Sequence, residues 1–270
     1  MSAWICWCGI AKRRSSVRME LLSTGAWLLA FAIAAFAGLV KGMVGFALPL
    51  VMISGLSSFL DPRLALAGIL VPVVATNGIQ TFRAGIGPAF DAARLHWRYL
   101  LMVVVAIFVT AQFVSSIPRE TFYFVLGVPV VALATVQLVG FRLSIPKGRE
   151  TAAEWIVGLV SGVLGGLAGT WGPTTVLYLL AIGTPKDRQM VVQGVIYGVG
   201  SVVLFVAHLR SGILNAGTAP FSAALLIPAL AGLWLGMRLQ DRMDQALFRK
   251  VTLILLVVAG LNLLRKGVVG

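Results

Sequence analysis

Apolar positions in this chain are grouped into eight long runs that are separated by short polar loops. The runs cover about residues 21–60, 64–82, 99–117, 121–141, 153–184, 189–209, 219–237 and 246–264. Six of them have about the 20 residues that one helix needs to cross the hydrocarbon core of a bilayer. The pattern predicts an all-α, polytopic integral membrane protein.

The first and fifth runs are too long for a single crossing helix. About 36 helical residues would extend roughly 54 Å, whereas the hydrocarbon core is about 30 Å thick. Each of these two runs carries a cluster of glycine and proline near its middle, and such clusters interrupt a helix. We therefore expect each long run to form two short helices, either a re-entrant hairpin or a sharply broken span.

The two interruptions are copies of one pattern. The segment Gly38-Leu-Val-Lys-Gly-Met-Val-Gly-Phe-Ala-Leu-Pro49 aligns with Gly162-Val-Leu-Gly-Gly-Leu-Ala-Gly-Thr-Trp-Gly-Pro173 at an offset of 124 residues. The alignment matches Gly38 with Gly162, Gly42 with Gly166, Gly45 with Gly169, and Pro49 with Pro173. Interrupted apolar segments in corresponding halves of a chain indicate a transporter binding site.

The copies divide the chain into two repeats, each a broken or re-entrant helix pair followed by three transmembrane helices. We assign residues 21–141 and 153–270 to the repeats, 142–152 to a polar linker, and 1–20 to an N-terminal extension that need not belong to the fold. If the broken elements re-enter, about 12 basic residues lie on one side of the membrane and about 5 on the other, against about 9 and 8 for complete crossings. The positive-inside rule then favours re-entrant elements and repeats of inverted topology.

Composition narrows the class of protein further. The chain is 59% hydrophobic and only 11% charged, whereas a soluble domain carries about 25% charged residues. The formal charge is +13, but the basic residues lie in short loops between apolar runs, which indicates contact with the lipid bilayer rather than with nucleic acid. Only Cys6 and Cys8 are present, too few for a disulfide framework. No metal or other cofactor is expected, and whether the protein forms a homodimer stays open.

Lys41 is the exception to the distribution of charges. All nine acidic residues lie at helix ends or in loops, whereas Lys41 lies within the first apolar run and inside its glycine-rich interruption. A buried ammonium group costs several kcal/mol unless it is paired or hydrated. An anionic substrate would supply the partner. The alternative is that Lys41 extends to an interface or caps the end of a short helix.

Short helices that meet at an interruption also direct backbone N–H groups at the space between them, and helix N-termini favour anions. Glycine lets an anion approach these groups closely, although the same glycines are equally suited to close helix packing. Polar residues in the second helix of each repeat can line the same space or simply bond between helices. The candidate substrate-binding residues are Lys41, Gly42, Gly45, Asn77, Gln80, Gly169, Thr170, Trp171, Gly172, Gln193 and Tyr197, with Pro49 and Pro173 at the helix breaks.

The interruptions resemble those of the sulfite exporter TauE/SafE family, also called the toluene sulfonate uptake permease family. The second copy, Gly-Gly-Leu-Ala-Gly-Thr-Trp-Gly-Pro, is the closer match, and the two-half layout is similar from about residue 21 onward. The resemblance implies a secondary transporter, mainly an exporter, of a small sulfur-containing anion such as sulfite or an organosulfonate in a bacterial inner membrane. A passive anion channel and an importer of a sulfonate or other organic anion are the alternatives. The sequence has no Walker, H-E-x-x-H or G-x-S-x-G motif, so no enzyme is expected.

Overall fold

The computed structural model describes residues 23–110, 128, 131–132, 134–136, 138–140, 144–146, 148–168, 171–210 and 212–269. Within these ranges the regular structure is helical. The helices with assigned bounds are α1 (Thr24–Val44), α2 (Leu48–Leu56), α3 (Pro62–Phe82), α4 (Ile86–Leu95), α5 (Trp97–Thr110), α6 (Glu150–Ala168), α7 (Gly172–Ala181), α8 (Lys186–Arg210), α9 (Ala219–Asp241) and α10 (Gln245–Val269).

Five helices are long and apolar enough to cross a membrane, as the hydropathy pattern predicts. They are Thr24–Val44, Arg63–Phe82, Lys186–Arg210, Ala219–Asp241 and Gln245–Asn262. The pair α4 and α5 passes the same test jointly but is bent by 78°. The predicted class, an all-α polytopic integral membrane protein, is confirmed.

The first long run is broken where the glycine and proline cluster lies, but its first arm is not short. Ser23 caps the start of α1, since its side chain accepts a hydrogen bond from the backbone N–H of Ala26, and the helix then continues for 21 residues. At roughly 1.5 Å per residue this is the length of a complete crossing. Gly45 caps the C-terminal end of α1 with a φ of 85°, which favours glycine, and α2 then runs for only 9 residues.

The second long run is divided in the same place. Helix α6 ends at Ala168, and α7 begins at Gly172 with Pro173 in its first turn. Pro49 has the same place in the first turn of α2. Both prolines thus begin the second arm of a broken pair, where a missing N–H costs nothing. Gly169 and Thr170 lie outside the described residues.

Helix α4 occupies part of the polar segment that separates the second and third apolar runs. Its Ala89 and Ala92 are buried, whereas Phe90, Asp91 and Arg94 are exposed. The chain turns at His96, whose N–H bonds to the carbonyl of Ala92, and α5 follows directly. Hydropathy alone does not predict this helix because only a narrow stripe of small residues is buried.

Glycines on α1 and α9 bring these two helices into backbone contact. A Cβ atom added at Gly38 would strike the backbone of Ala229, and one at Gly42 would strike Leu233. On α9, a Cβ at Gly232 or Gly236 would strike the backbone of α1 at positions 35 and 39. Residue numbers rise together along both helices, so the helices are parallel. Such small-residue contacts stabilise helix association in membranes through close packing.

Helices α5 and α6 make a second parallel crossing of this kind. Gly158 packs against Tyr99, and Gly162 packs against Val103 and Ala106. Gly38 and Gly162 are matched in the sequence repeat, and each lies where a first arm contacts a helix of the other half. The two halves are therefore interlocked through α1 with α9 and α6 with α5.

The second helices of the two halves, α3 and α8, pack against each other in opposite directions. Gln80 bonds to the carbonyl of Met190, whereas Asn77, nearer the start of α3, bonds to the carbonyl of Tyr197, later in α8. Gly194 makes this approach possible, since a Cβ there would contact the backbone of Thr81 at 2.7 Å. Antiparallel packing of corresponding helices is what inverted repeats require; the inversion itself, and the assigned domain limits, remain predictions.

Candidate binding site

A small cavity lies where the second arms of the two broken helices begin. Its volume is about 30 Å³, enough for a group of a few atoms. Its lining combines a cation and an amide with largely apolar walls. The lining residues are Lys41, Phe46, Ala47, Pro49, Leu50, Asn77, Trp171, Gly172, Pro173 and Tyr197.

Lys41 supplies the positive charge of the cavity. The residue is only 2% exposed, and its Nζ donates a hydrogen bond of 2.5 Å to Oδ1 of Asn77. The ammonium lies 5.8 Å from the ring centroid of Tyr197, within the range of a cation–π contact. Among the described residues, the ion pairs involve Arg83, His96 and Arg98 and leave Lys41 without a carboxylate. The cavity therefore contains a buried cation with neutral partners.

The first turns of α2 and α7 both face this cavity. Ala47 at the N-cap of α2 has a φ of 76°, in the left-handed region that is unfavourable for a residue with a side chain. Across the cavity, a Cβ added at Gly172 would lie 3.4 Å from Phe46, so the two helix starts are close together. The positive ends of two helix dipoles and the ammonium of Lys41 thus favour a negative charge at one place.

Asn77 and Tyr197 connect α3 and α8 to the cavity. The amide nitrogen of Asn77 donates to the backbone carbonyl of Tyr197 at 3.0 Å, which directs its oxygen at Lys41. The hydroxyl of Tyr197 donates to the carbonyl of Gly172 at 3.1 Å. Through these bonds, Asn77 and Tyr197 fix the positions of the Lys41 ammonium and of the start of α7 relative to each other.

The two halves contribute different residues at corresponding positions. The repeat pairs Lys41 with Gly165 and Ala47 with Trp171. The Trp171 ring lies against Gly165, where a Cβ would be 2.6 Å from Cε3, and also contacts Gly200. The first half therefore provides the charge. In the second half, glycine at position 165 leaves space that the Trp171 ring fills, and this ring forms an aromatic wall of the cavity.

Three predicted site residues, Gly45, Gln80 and Gln193, lie at the break in α1 but do not line the cavity. A Cβ at Gly45 would collide with the amide of Gln193 and lie 2.9 Å from Nε2 of Gln80. With its amide nitrogen turned toward α1, Gln193 donates to the carbonyls of Val44 at 3.1 Å and Gly45 at 3.2 Å. Gln193 thus satisfies carbonyl groups that the break leaves free, whereas Gln80 donates to the carbonyl of Met190 within α8. Gly42 also lies apart from the cavity, since it packs against Leu233 and Gly236 in the crossing with α9.

Sequence reasoning missed the apolar residues Phe46, Ala47 and Leu50, which line the cavity beside the predicted Pro49. Their only sequence signal is their position next to the break, because apolar residues are common throughout this chain. In the described ranges there is no group of three or more His, Cys, Asp or Glu residues that could hold a metal ion. The structure thus brings a buried cation, an amide and two helix starts together at one small cavity.

Several apolar helices, two of them broken around a buried charged cavity, define a polytopic α-helical membrane protein of the transporter type. A family model described as sulfite exporter TauE/SafE matches residues 30–263, so the chain belongs to the sulfite exporter TauE/SafE family of membrane transporters. Neither a curated protein nor a solved structure matches the chain. Membership of a transporter family agrees with the expectation that the protein is not an enzyme.

Proposed function

We propose that this protein is a secondary transporter that exports a small sulfur-containing anion, such as sulfite or a short organosulfonate, by alternating access. The observation that carries the proposal is the Lys41 ammonium, buried beside the starts of α2 and α7 with neutral partners. Membership of the sulfite exporter TauE/SafE family supports the class of substrate. We place the protein in a bacterial inner membrane, where export would carry the anion out of the cytoplasm.

In this proposal the anion binds between the two helix starts and takes the place of Asn77 as the partner of Lys41. An ammonium in a water-poor site interacts strongly with an anion, because the surrounding dielectric constant is low. Phe46, Leu50 and Trp171 limit the volume beside the charge. A small oxyanion or a sulfonate with a short apolar group therefore fits better than a bulky aromatic sulfonate.

Alternating access requires two groups of helices that move relative to each other around the anion. The close backbone contacts of α1 with α9 and of α5 with α6 favour these pairs as rigid units. Each pair includes one first arm and one helix of the other half. Of these pairs, only the first contributes a residue to the cavity, which is Lys41 on α1. The other lining residues come from α2, α3, α7, α8 and the breaks, so these elements would have to change their packing around the anion as the units move.

Thermal stability of the purified protein in an anion series tests the proposal. The series contains sulfite, sulfate, methanesulfonate, toluenesulfonate, acetate and chloride. A ligand that binds only the native state raises stability by RT ln(1 + [L]/Kd). We expect sulfite or methanesulfonate to raise the melting temperature of the native chain and to have no effect on Lys41→Met. Lys250→Met is the matched control, since Lys250 is exposed, and should behave like the native chain.

The direction and mode of transport need a measurement across a membrane. In proteoliposomes loaded with the anion, a carrier releases it with a rate that saturates with internal concentration, whereas a passive channel does not saturate at low concentration. Equal stabilisation of the native chain and Lys41→Met by every anion would contradict the proposed site. Release that depends linearly on concentration would contradict the carrier mechanism.

A further inference from the structure

A second and larger cavity lies where α3 ends, α8 begins and α9 ends. Its volume is about 180 Å³, which is room for several water molecules. In contrast to the candidate binding site, it is lined largely by polar and charged side chains. The polar lining residues are Gln80, Arg83, Asp187, Gln240 and Asp241. We call this space the outer cavity.

The side chain of Gln80 forms the buried end of the outer cavity. Gln80 is 2% exposed, and its Oε1 has no hydrogen-bond partner within the described part of the chain. Its Nε2 donates to the carbonyl of Met190 at 2.9 Å, which fixes the orientation of the amide. A buried acceptor without a partner is unfavourable, and water or a hydrated ligand in the cavity would supply the missing donor. The outer cavity is therefore suited to a hydrated occupant.

Polar side chains on α3 connect the outer cavity with the cavity at Lys41. Asn77 lines the inner cavity, Gln80 lies one turn later and lines the outer cavity, and Arg83 lies one further turn along at the end of α3. Residues three apart on a helix are neighbours on its surface. A polar stripe of three successive turns thus leads from the end of the helix bundle to the buried ammonium.

The second half of the chain has no corresponding stripe. The segment Arg83-Ala-Gly-Ile matches Arg210-Ser-Gly-Ile at an offset of 127 residues. At this offset the two amides of the stripe correspond to the apolar residues Leu204 and Ala207 on α8. The polar connection to Lys41 along the second helix of a repeat is therefore a feature of the first half, and it begins at the Arg83 end of the bundle.

Arg83 is held in the outer cavity by partners that an anion can replace. Its Nη2 lies 2.6 Å from both carboxylate oxygens of Asp241, and its Nη1 donates to Oε1 of the buried Gln240 at 2.9 Å. The side chains of Arg83 and Asp241 are 29% and 58% exposed, and ion pairs so exposed contribute little to stability. A guanidinium binds any oxyanion of suitable geometry through the same donors. Arg83 can therefore exchange Asp241 for another oxyanion at small cost.

The loops at this end of the bundle are basic. Lys186 and Arg188 at the start of α8 and Arg242 after α9 lie at the same end as Arg83, because α3 and α8 are antiparallel and Arg83 pairs with the end of α9. Asp187 lies in the first turn of α8, where the positive helix end offsets its charge. The positive-inside rule favours the cytoplasm for such an end, and basic surroundings raise the local concentration of anions.

We propose that the outer cavity is the cytoplasmic entry site for the transported anion, in which Arg83 releases Asp241 and binds a small oxyanion or sulfonate before it moves along α3 to Lys41. This inference rests on the proposed function, since it assumes an anion at Lys41. Asp241 competes with the anion for Arg83, so the anion is bound weakly. Weak binding suits an entry site, because a ligand must also leave it to reach the next site.

Transport rates of Arg83→Gln and Asp241→Asn separate an entry site from a structural ion pair. Sulfite or methanesulfonate is supplied to proteoliposomes at the Arg83 end of the protein, over a concentration series. Arg83→Gln should lower kcat/KM about fivefold through a higher KM, and Asp241→Asn should raise kcat/KM by a similar factor, because it frees Arg83. A purely structural ion pair predicts that both variants change in the same direction. A decrease in both would overturn the proposal.

Two matched variants control for general electrostatics. Arg242→Gln removes an exposed positive charge at the same end, and Asp91→Asn removes an exposed negative charge on α4, and neither residue is among those that line the outer cavity. Both variants should retain kcat/KM close to that of the native chain. An equal loss in Arg242→Gln and Arg83→Gln would assign the effect to the overall charge and overturn a specific site. If Arg83→Gln does not fold, an unchanged or lower kcat/KM of Asp241→Asn overturns the proposal by itself.

Thermal stabilisation by sulfite or methanesulfonate distinguishes the entry site from the anion site at Lys41. Arg83→Gln should keep this stabilisation, whereas Lys41→Met should lose it. If both variants lose it, Arg83 belongs to the inner site and the entry site is wrong. If the native chain is stabilised and Arg83→Gln transports like the native chain, the entry site is wrong and the proposed function stands.

A cation is the competing occupant of the outer cavity, because two carboxylates line it. A higher melting temperature in NaCl than in choline chloride for the native chain, absent in Asp187→Asn, would assign the cavity to a cation and overturn the proposal. If no anion stabilises the native chain or is transported by it, the proposed function is wrong and the entry site falls with it.

Discussion

Nζ of Lys41 lies 2.5 Å from Oδ1 of Asn77, and this neutral amide is the hydrogen-bond partner of a buried ammonium. The charge is therefore solvated but not neutralised. An amide holds the ammonium in place through dipole interactions, which an incoming anion can exceed. A carboxylate at the same position would instead form a closed ion pair, so the identity of residue 77 decides whether Lys41 is available to a ligand.

Replacement Asn77→Asp should lower the affinity for the anion at least tenfold, because an internal carboxylate competes for Lys41 and repels the anion. Isothermal titration with the stabilising anion measures the change. Asn215→Asp is the matched control, since the Asn215 side-chain oxygen caps Gly217 and Thr218 in an exposed turn and aspartate can do the same. Unchanged affinity in Asn77→Asp would argue against an anion bound at Lys41.

The hydroxyl and the ring of Tyr197 should have separable effects. Tyr197→Phe removes the hydrogen bond to Gly172 but keeps the ring beside Lys41, so we expect a stability loss of about 0.5–1.5 kcal/mol and little change in anion affinity. Tyr197→Leu also removes the cation–π contact, worth about 1 kcal/mol or more in a buried site. Denaturation and anion titration of both variants measure the two effects. Similar affinities of the two variants would show that the ring does not contribute.

Trp171 should set the upper size limit of the substrate. Trp171→Ala removes a wall of the cavity, at a stability cost of about 3–5 kcal/mol, and leaves room for a larger group. The ratio of toluenesulfonate to methanesulfonate affinity should therefore rise about tenfold or more. Trp234→Ala serves as control because Trp234 is exposed and contacts Arg238. An unchanged ratio in Trp171→Ala would mean that another wall limits size.

The crossing of α1 and α9 should tolerate no added side-chain atom. In Gly232→Ala the new Cβ would overlap the backbone carbonyl of Ala35, and we expect a loss of about 1–3 kcal/mol. Gly78→Ala is the contrasting variant, because a Cβ at Gly78 meets nothing within 4 Å. Better helix propensity should stabilise that variant by about 0.5–1 kcal/mol. Thermal unfolding in the same detergent compares the two, and equal stabilities would contradict the close crossing.

Sequence patterns were sufficient for the class of fold, and they pointed to several residues that line the cavity. The hydropathy pattern predicts the long helices, and the paired glycines and prolines predict both breaks. Lys41, Asn77, Tyr197, Trp171, Gly172, Pro49 and Pro173 were all predicted to be near one another and all line the cavity. Their roles in binding stay predictions, as do those of Gly169 and Thr170, which lie outside the described residues.

The sequence does not show which residues of one type line the cavity and which of them pack between helices. Gly42 and Gly172 both belong to the repeated pattern, but Gly42 packs against α9 and Gly172 lines the cavity. This difference depends on which distant helix lies opposite each glycine, and α9 is almost 200 residues away from α1 in the chain. Gln80 and Gln193 are ambiguous for the same reason, because a buried amide can face a ligand or a broken helix end.

The interlocking of the halves has a consequence for how the polypeptide can be divided. A chain cut within the polar linker 142–152 would place α1 and α5 on one fragment and their close partners, α9 and α6, on the other. Neither fragment could bury its glycine stripes alone. The two fragments should instead assemble with each other when produced in the same cell, so the covalent boundary between the repeats is not the boundary along which the protein comes apart.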